Sequence, residues 1–163
     1  MNREEKIYIH FTMPVEPQTL FDFIIKPSNM PLYEGFLLIP GIKNVISSDV
    51  VRKVGTIDKI TNSDGSSHQS RTDILESGAR YSLSLSHIEM TGFKKKLANP
   101  MVALREDWIM KPEGQHTKIE RSLFLIYKKG FFNTLFVRFF IFPQMYFSLL
   151  KHHQNLLKSL SHD

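Results

Sequence analysis

The residues in this chain best suited to chemistry are few and scattered. Seven histidines stand at positions 10, 68, 87, 116, 152, 153 and 162. No pair has the spacing of a known metal motif with a carboxylate partner. His152 and His153 are adjacent, and neighbours on a helix point about 100° apart, so the two rings diverge. The chain has no cysteine, which removes thiolate zinc sites, disulfides and cysteine nucleophiles together. It has no glycine-rich phosphate loop and no G-x-S-x-G elbow. Neither a metal nor a cofactor is expected.

The more informative polar residues sit inside apolar strand patterns. Residues 105–111 put Glu106 on one face with Trp108 and Met110. Residues 116–127 put Arg121 on one face with Ile119 and Leu123. If the two strands pair across the Pro-Glu-Gly turn at 112–114, the carboxylate and the guanidinium meet. A charge taken out of water must be paired. Two readings stay open: an ion pair that satisfies itself, or a polar anchor for a ligand head group among apolar walls. His87 shares a face with Tyr81, Leu83 and Leu85, and His153 lies on an apolar helical stripe. Each is a core histidine or a ligand contact.

These side chains need elements to hold them. Residues 7–11 alternate, with Ile7, Ile9 and Phe11 on one side, and predict a half-buried strand. A short helix follows at 17–25. Prolines at 27, 31 and 40 keep any helix near 28–33 brief. Strands are predicted at 42–47, 54–61, 67–75, 80–88, 105–111 and 116–127, with hairpin turns at 63–65, 76–78 and 112–114. Residues 89–104 form the longest connection, with the lysines 94–96 and Asn99-Pro100.

Residues 131–150 are the most apolar stretch of the chain. A membrane span needs about 20 apolar residues, and this one holds Asn133, Arg138, Pro143 and Gln144. A central arginine alone costs roughly 2.5–3.5 kcal/mol. The pattern continues as a helix. Leu135, Phe139, Phe142, Tyr146, Leu149 and His153 step by three and four toward Leu156 and Leu160. Gln144, Ser148, Lys151, Asn155 and Lys158 lie opposite. That is an amphipathic helix rather than a span, with a kink expected at Pro143. Val137, Phe140 and Ile141 fall off the stripe and call for a second covering surface.

The chain has 163 residues, 42% of them hydrophobic, including 13 Phe, which fits a single domain, 1–163, with a sizeable core. Net charge is +5, but the basic residues are not interleaved with aromatics on one face and match no nucleic-acid motif. No nucleic-acid partner is expected. The N-terminal residues MNREEKIYIHF contain no secretory or transit pattern, which makes the cytoplasm the default compartment.

The order of elements resembles the START-like, or SRPBCC, superfamily of helix-grip proteins. That group includes the birch-pollen allergens and the polyketide cyclase/dehydrase and lipid-transport family. "FTMPVEPQTLFDFIIKPSNMPLYEG" resembles the first strand and its two short helices, "KVGTID" the glycine-containing third strand, and "DWIMKPEGQHTKIERSLFL" the paired strands before the last helix. The resemblance implies an α+β helix-grip fold: a curved antiparallel sheet wrapped around a long C-terminal helix, with two short helices after the first strand. It also implies a cavity between sheet and helix. Phe139, Phe142, Tyr146 and Leu149 would roof it, with His153 beside them. Phe11, Leu83, Leu85 and His87 would line it from the sheet. Glu106, Trp108, Met110, Ile119 and Arg121 would complete the wall.

Three functions are compatible with such a domain. The first is binding or transport of a hydrophobic small molecule such as a lipid, isoprenoid or polyketide-like compound. The second is a cyclase- or dehydratase-type enzyme acting on such a ligand. The third is a protein-interaction adaptor. Phe131, Phe132, Phe136 and Phe140, beside Lys128 and Lys129, offer a surface for peripheral membrane contact. A homodimer, or a different protein partner docked on the same helix start, would also cover them.

Overall fold

The computed structural model describes residues 1–89 and 100–161. Lys94, Lys95, Lys96 and His162, named above, lie outside the described residues. The chain opens with strand β1 (Asn2–Met13), helix α1 (Pro17–Ile24) and a 3₁₀ turn (Pro27–Leu32). A small ribbon of β2 (Gly35–Phe36) and β3 (Ile39–Pro40) follows. The main strands are then β4 (Ile42–Ser47), β5 (Ile57–Asn62), β6 (Ser67–Glu76), β7 (Arg80–Glu89), β8 (Met101–Glu113) and β9 (His116–Lys128). The C-terminal helix has three parts: α2 (Phe131–Phe136), a π turn (Val137–Ile141) and α3 (Phe142–Leu160).

Seven strands form one antiparallel sheet in the order β1-β9-β8-β7-β6-β5-β4. Tight turns join β5 through β7 and β8 to β9 where the sequence places them, so those hairpins form in chain order. The period of two holds along the inner face. β9 buries Thr117, Ile119, Arg121, Leu123, Leu125 and Tyr127. The predicted strand at 54–61 starts later, at Ile57, because residues 53–56 turn, with the Thr56 N–H donating to the Lys53 carbonyl at 3.1 Å.

Apolar side chains gather in two clusters. One packs Leu20, Phe21 and Ile24 of α1 against Trp108, Met110 and Ile119 of the sheet and Leu156 of α3. The other joins Ile7, Ile9, Leu123 and Leu125 to Val137, Ile141 and Leu149. Burying an aliphatic side chain stabilises by roughly 1.5–3 kcal/mol, so these contacts hold the helix to the sheet from both ends.

The C-terminal helix departs from the predicted stripe. Val137, Ile141, Met145 and Leu149 face the sheet, in successive steps of four. Phe139 is 70% exposed and Tyr146 37%, whereas Ser148 is 0% exposed. A step of four overshoots a full α-helical turn by about 40°. The π turn widens the backbone and takes up that drift. Pro143 supplies a reason for it. It has no N–H to donate to the preceding turn, and nearby Gln144 Nε2 donates to the Phe140 carbonyl at 3.0 Å. The expected kink at Pro143 is thus realised as a wide turn just upstream. It rotates Phe139 and Tyr146 outward and brings Val137 and Ile141 in. None of the helices among the described residues is long and apolar enough to cross a membrane.

Candidate functional site

Between the sheet and the C-terminal helix lies a cavity of about 190 Å³. Leu83 and Leu85 of β7, Leu104 of β8 and Leu123 of β9 form its floor. Ile141, Met145, Leu149 and Leu156 of the helix form its roof. Leu38 of the β2–β3 ribbon and Met30 of the 3₁₀ turn line one end. Members of both apolar clusters reach the cavity wall.

Asn29 of the 3₁₀ turn lines the cavity with its amide donating to the Phe23 carbonyl at 2.8 Å, and the remaining polar groups enter the wall at two places. The first centres on Arg121. Trp108 and Arg121 are directly opposed across β8 and β9. The guanidinium lies 4.1 Å from the centre of the Trp108 ring. Its Nε donates to Glu106 Oε1 in a buried ion pair, while its Nη1 has no partner. His152 stands across the cavity from β8. Its ring meets Trp108 edge-on with centroids 6.1 Å apart, and Tyr33 at 5.5 Å. Burial, with the Arg121 charge adding to it, holds His152 well below the usual histidine range, so it is neutral at pH 7. Burial likewise pushes the Tyr33 phenol up to about 12. Tyr33 and His152 both sit deep in the molecule and both line the cavity. Their uncovered ring surface therefore looks inward.

The second polar place is the β5–β6 end of the floor, with Asn62, His68 and Ser70. Asn62 Nδ2 donates to Ser66 Oγ at 2.9 Å and lies 3.3 Å from His68 Nδ1. Burial drives His68 down to about 4. Ser70 Oγ is buried without a hydrogen-bond partner, and the buried Tyr81 hydroxyl lies beside Thr72.

Of the residues predicted to line the cavity, Leu83, Leu85, Glu106, Trp108, Arg121 and Leu149 stand in its wall. Met110 and Ile119 are buried instead in the cluster around α1. Phe11 and His153 stack on each other, centroids 3.9 Å apart, beside the cavity rather than in its lining. Phe142 packs against the second cluster. Phe139 and Tyr146 are turned outward by the π turn and line nothing.

His87 is also displaced. The pairing of β6 with β7 jumps from Gln69↔Ser86 to Ser67↔Glu89, so β7 carries one extra residue there. His87 takes a positive φ of 51° and is exposed. Ile88 faces the cavity in its place. A bulge shifts the alternation by one and re-aims every side chain beyond it.

Sequence reasoning missed His152 and Tyr33 at the first polar place, and Asn62, His68 and Ser70 at the second. His152 is one position from the stripe that was followed, and a drift of one residue selects His153 instead. Tyr33 sits in a proline-rich turn with no period to read. A second buried ion pair was missed as well. Arg52 Nη1 lies 2.7 Å from Asp58 Oδ2. Arg52 also donates to the Ile25 carbonyl and to Thr72 Oγ1, tying the end of α1 to the sheet. Among the described residues, no group of three or more His, Asp or Glu is placed to hold a metal ion.

No family profile matches the chain, and no curated protein matches it in sequence. Solved structures do match. Ara h 8.0201 aligns with a TM-score of 0.67 at 17% identity, over 99% of this chain and 100% of that one. An uncharacterized protein from Rhizobium leguminosarum aligns with a TM-score of 0.65 at 12% identity, over 100% and 98%. Norcoclaurine synthase from Thalictrum flavum, solved with dopamine and hydroxybenzaldehyde, aligns with a TM-score of 0.67 at 13% identity, over 99% and 90%. Ara h 8.0201 and norcoclaurine synthase carry the helix-grip fold of the birch-pollen-allergen type, and this chain has that fold.

Proposed function

We propose that this protein binds an apolar small molecule in the cavity between sheet and helix and acts as its carrier or sensor. One observation carries the reading: the cavity has apolar walls on both sides, and polar side chains are a minority of its lining. A ligand there gains about 2.5 kcal/mol for each 100 Å² of apolar surface removed from water. Tyr33, His152 and the Arg121–Glu106 pair would orient it. At the level of fold alone, norcoclaurine synthase with its two small aromatic molecules supports the idea that such an architecture can hold organic ligands. Native mass spectrometry of freshly purified protein, followed by solvent extraction, tests the reading. A retained lipid-like mass that extraction removes is expected. Bare protein that also fails to take up any apolar probe would end it.

A specific observation supports a surface for delivery. Phe131, Phe132, Phe139 and Phe140 are exposed at the start of the C-terminal helix, Phe132 by 82%. Phe136 stacks on Phe140 with centroids 5.6 Å apart. Lys128 and Lys129 stand exposed just before them. Aromatic side chains flanked by cations suit the interface of an anionic membrane. Binding to vesicles of phosphatidylcholine with phosphatidylglycerol, weakened by salt and absent on phosphatidylcholine alone, is the expected result. A salt-insensitive dimer with no vesicle binding would assign the surface to a second copy instead.

A further inference from the structure

Resting on the reading of the cavity as a small-molecule site, we infer that its ligand is uncharged and carries a hydroxyl or carbonyl group, held at the corner between Tyr33, His152 and the Arg121–Glu106 pair. The first argument is a charge balance. Among the described residues lining the cavity, only Arg121 and Glu106 carry a formal charge, and they are bonded to each other. The guanidinium is further committed by its seat on the Trp108 ring. A ligand carboxylate would stand beside Glu106, and the charge of Arg121 is already balanced by Glu106 although its Nη1 is free to donate. A ligand ammonium would stand beside Arg121 with no free anion. A charge taken into an apolar cavity without a partner is strongly disfavoured.

The second argument is unspent hydrogen bonding. The Tyr33 hydroxyl donates to Met145 Sδ, 3.7 Å away, a weak thioether acceptor, and stands beside the Ser148 hydroxyl. His152 Nδ1 and Arg121 Nη1 have no partner. Ser148 lies one turn before His152 on α3, so both hang from the same stretch of roof. Buried polar groups are normally satisfied, and this corner has two that are not. Burial keeps Tyr33 and His152 neutral. They can exchange hydrogen bonds with an alcohol or ketone without placing a net charge in the cavity. The rest of the wall around this corner is apolar, with Leu104, Leu123, Met145 and Leu149. The ligand it fits is an apolar body with one neutral polar head.

The test uses the full chain and displacement of N-phenyl-1-naphthylamine, an uncharged fluorescent probe, at pH 8. The competitors are 1-decanol, 2-decanone and decanoate, which share a chain length and differ in the head. Decanol and decanone should each displace the probe at concentrations at least tenfold lower than decanoate. Glu106→Gln removes the cancelling charge and should narrow that gap at least threefold. Tyr33→Phe should weaken decanol more than decanoate. If the probe binds and decanoate competes as well as decanol, this inference is overturned while the carrier reading survives. If the gap is present but neither substitution moves it, the placement at this corner is wrong. If the probe does not bind at all, both readings fall.

Discussion

Arg121 and Trp108 face each other across adjacent strands, guanidinium over indole at 4.1 Å. The contact adds a cation–π attraction of about 2 kcal/mol in a desolvated setting. It also fixes the direction in which Arg121 meets Glu106, two residues along β8 from Trp108. A charge pair inside an apolar sheet face is costly to assemble and more costly to break. The arrangement is therefore a strong constraint on this part of the sheet, whatever occupies the cavity.

Breaking the pair from one side should be severe. Arg121→Met leaves Glu106 uncompensated and should lose about 3–5 kcal/mol of stability. Adding Glu106→Leu to the same chain removes the stranded carboxylate and should recover most of that loss. Urea denaturation of wild type, single and double variants measures the coupling. A double variant no better than the single one would mean that Trp108 packing, not charge, sets the cost.

Acid should loosen the fold before its carboxylates titrate. His68 is held at about 4 in the folded chain by burial, against about 6.5 when unfolded. The unfolded chain thus takes up a proton first as pH falls. Stability is full above pH 6.5 and declines toward pH 4, by up to roughly 3 kcal/mol for this group. His152 and His153 are depressed in the same direction, first by burial and then by the Arg121 charge, and steepen the decline. Urea midpoints at pH 7.5, 6.0 and 5.0 should fall in that order. In His68→Gln the slope should flatten. A flat profile across that window would contradict the burial of these rings.

Much of this architecture was legible from residue order. Alternation along β7, β8 and β9 located Leu83, Leu85, Trp108 and Arg121 because a sheet face obeys a period of two without reference to anything distant. That Glu106 and Arg121 lie on neighbouring strands followed from the short Pro112–Gly114 turn that joins them, whereas their bond to each other rather than to a ligand was left open. The errors occurred where one extra residue enters a repeating element. The bulge at His87 and Ile88 and the π turn at Val137–Ile141 each shift a correct period by one position; no residue type announces the bulge, and Pro143 signals a disturbance of the helix without saying that it widens the turn. His87, Phe139 and Tyr146 were misplaced for that reason, and His152 was passed over for His153. Arg52 and Asp58 could not be matched because they meet through a loop and not through strand register.

Filling the cavity should separate binding from folding. Leu85 stands in the wall and touches both apolar clusters. Leu85→Phe places a ring in the space now open and should reduce affinity for an apolar probe more than tenfold. Overpacking costs about 1–3 kcal/mol where no space exists, so the melting temperature should move by only a few degrees if the space is real. The opposite change, Leu149→Ala, enlarges the cavity and should cost about 2–5 kcal/mol. Probe titration and thermal melts on the two variants together decide the matter. A large loss of stability in Leu85→Phe with unchanged binding would show that the space is not there.

The β2–β3 ribbon should control how fast a ligand exchanges. Its two ends are pinned by glycines. At Gly35, φ is +72° and an added Cβ would fall 2.2 Å from the Ile39 carbonyl oxygen. At Gly41 an added Cβ would fall 2.5 Å from the backbone of Glu34. Between them the Leu38 N–H donates to Gln144 Oε1 of α3 at 2.8 Å, and the Leu38 side chain lines the cavity. That bond joins the Phe36–Phe147 ring contact, centroids 5.4 Å apart, and the Lys151–Glu34 ion pair at 2.8 Å in holding the ribbon to the helix. Gln144→Ala cuts the bond nearest the Leu38 side chain and removes a side chain that is not part of either core cluster. Stopped-flow release of a bound fluorescent probe should accelerate several-fold while equilibrium affinity changes less than threefold. Gly41→Ala should behave differently. A methyl group against backbone has nowhere to go, so the ribbon must shift, and both stability and affinity should drop together. Equal release rates in wild type and Gln144→Ala would mean that the ligand leaves by a route that does not pass this bond.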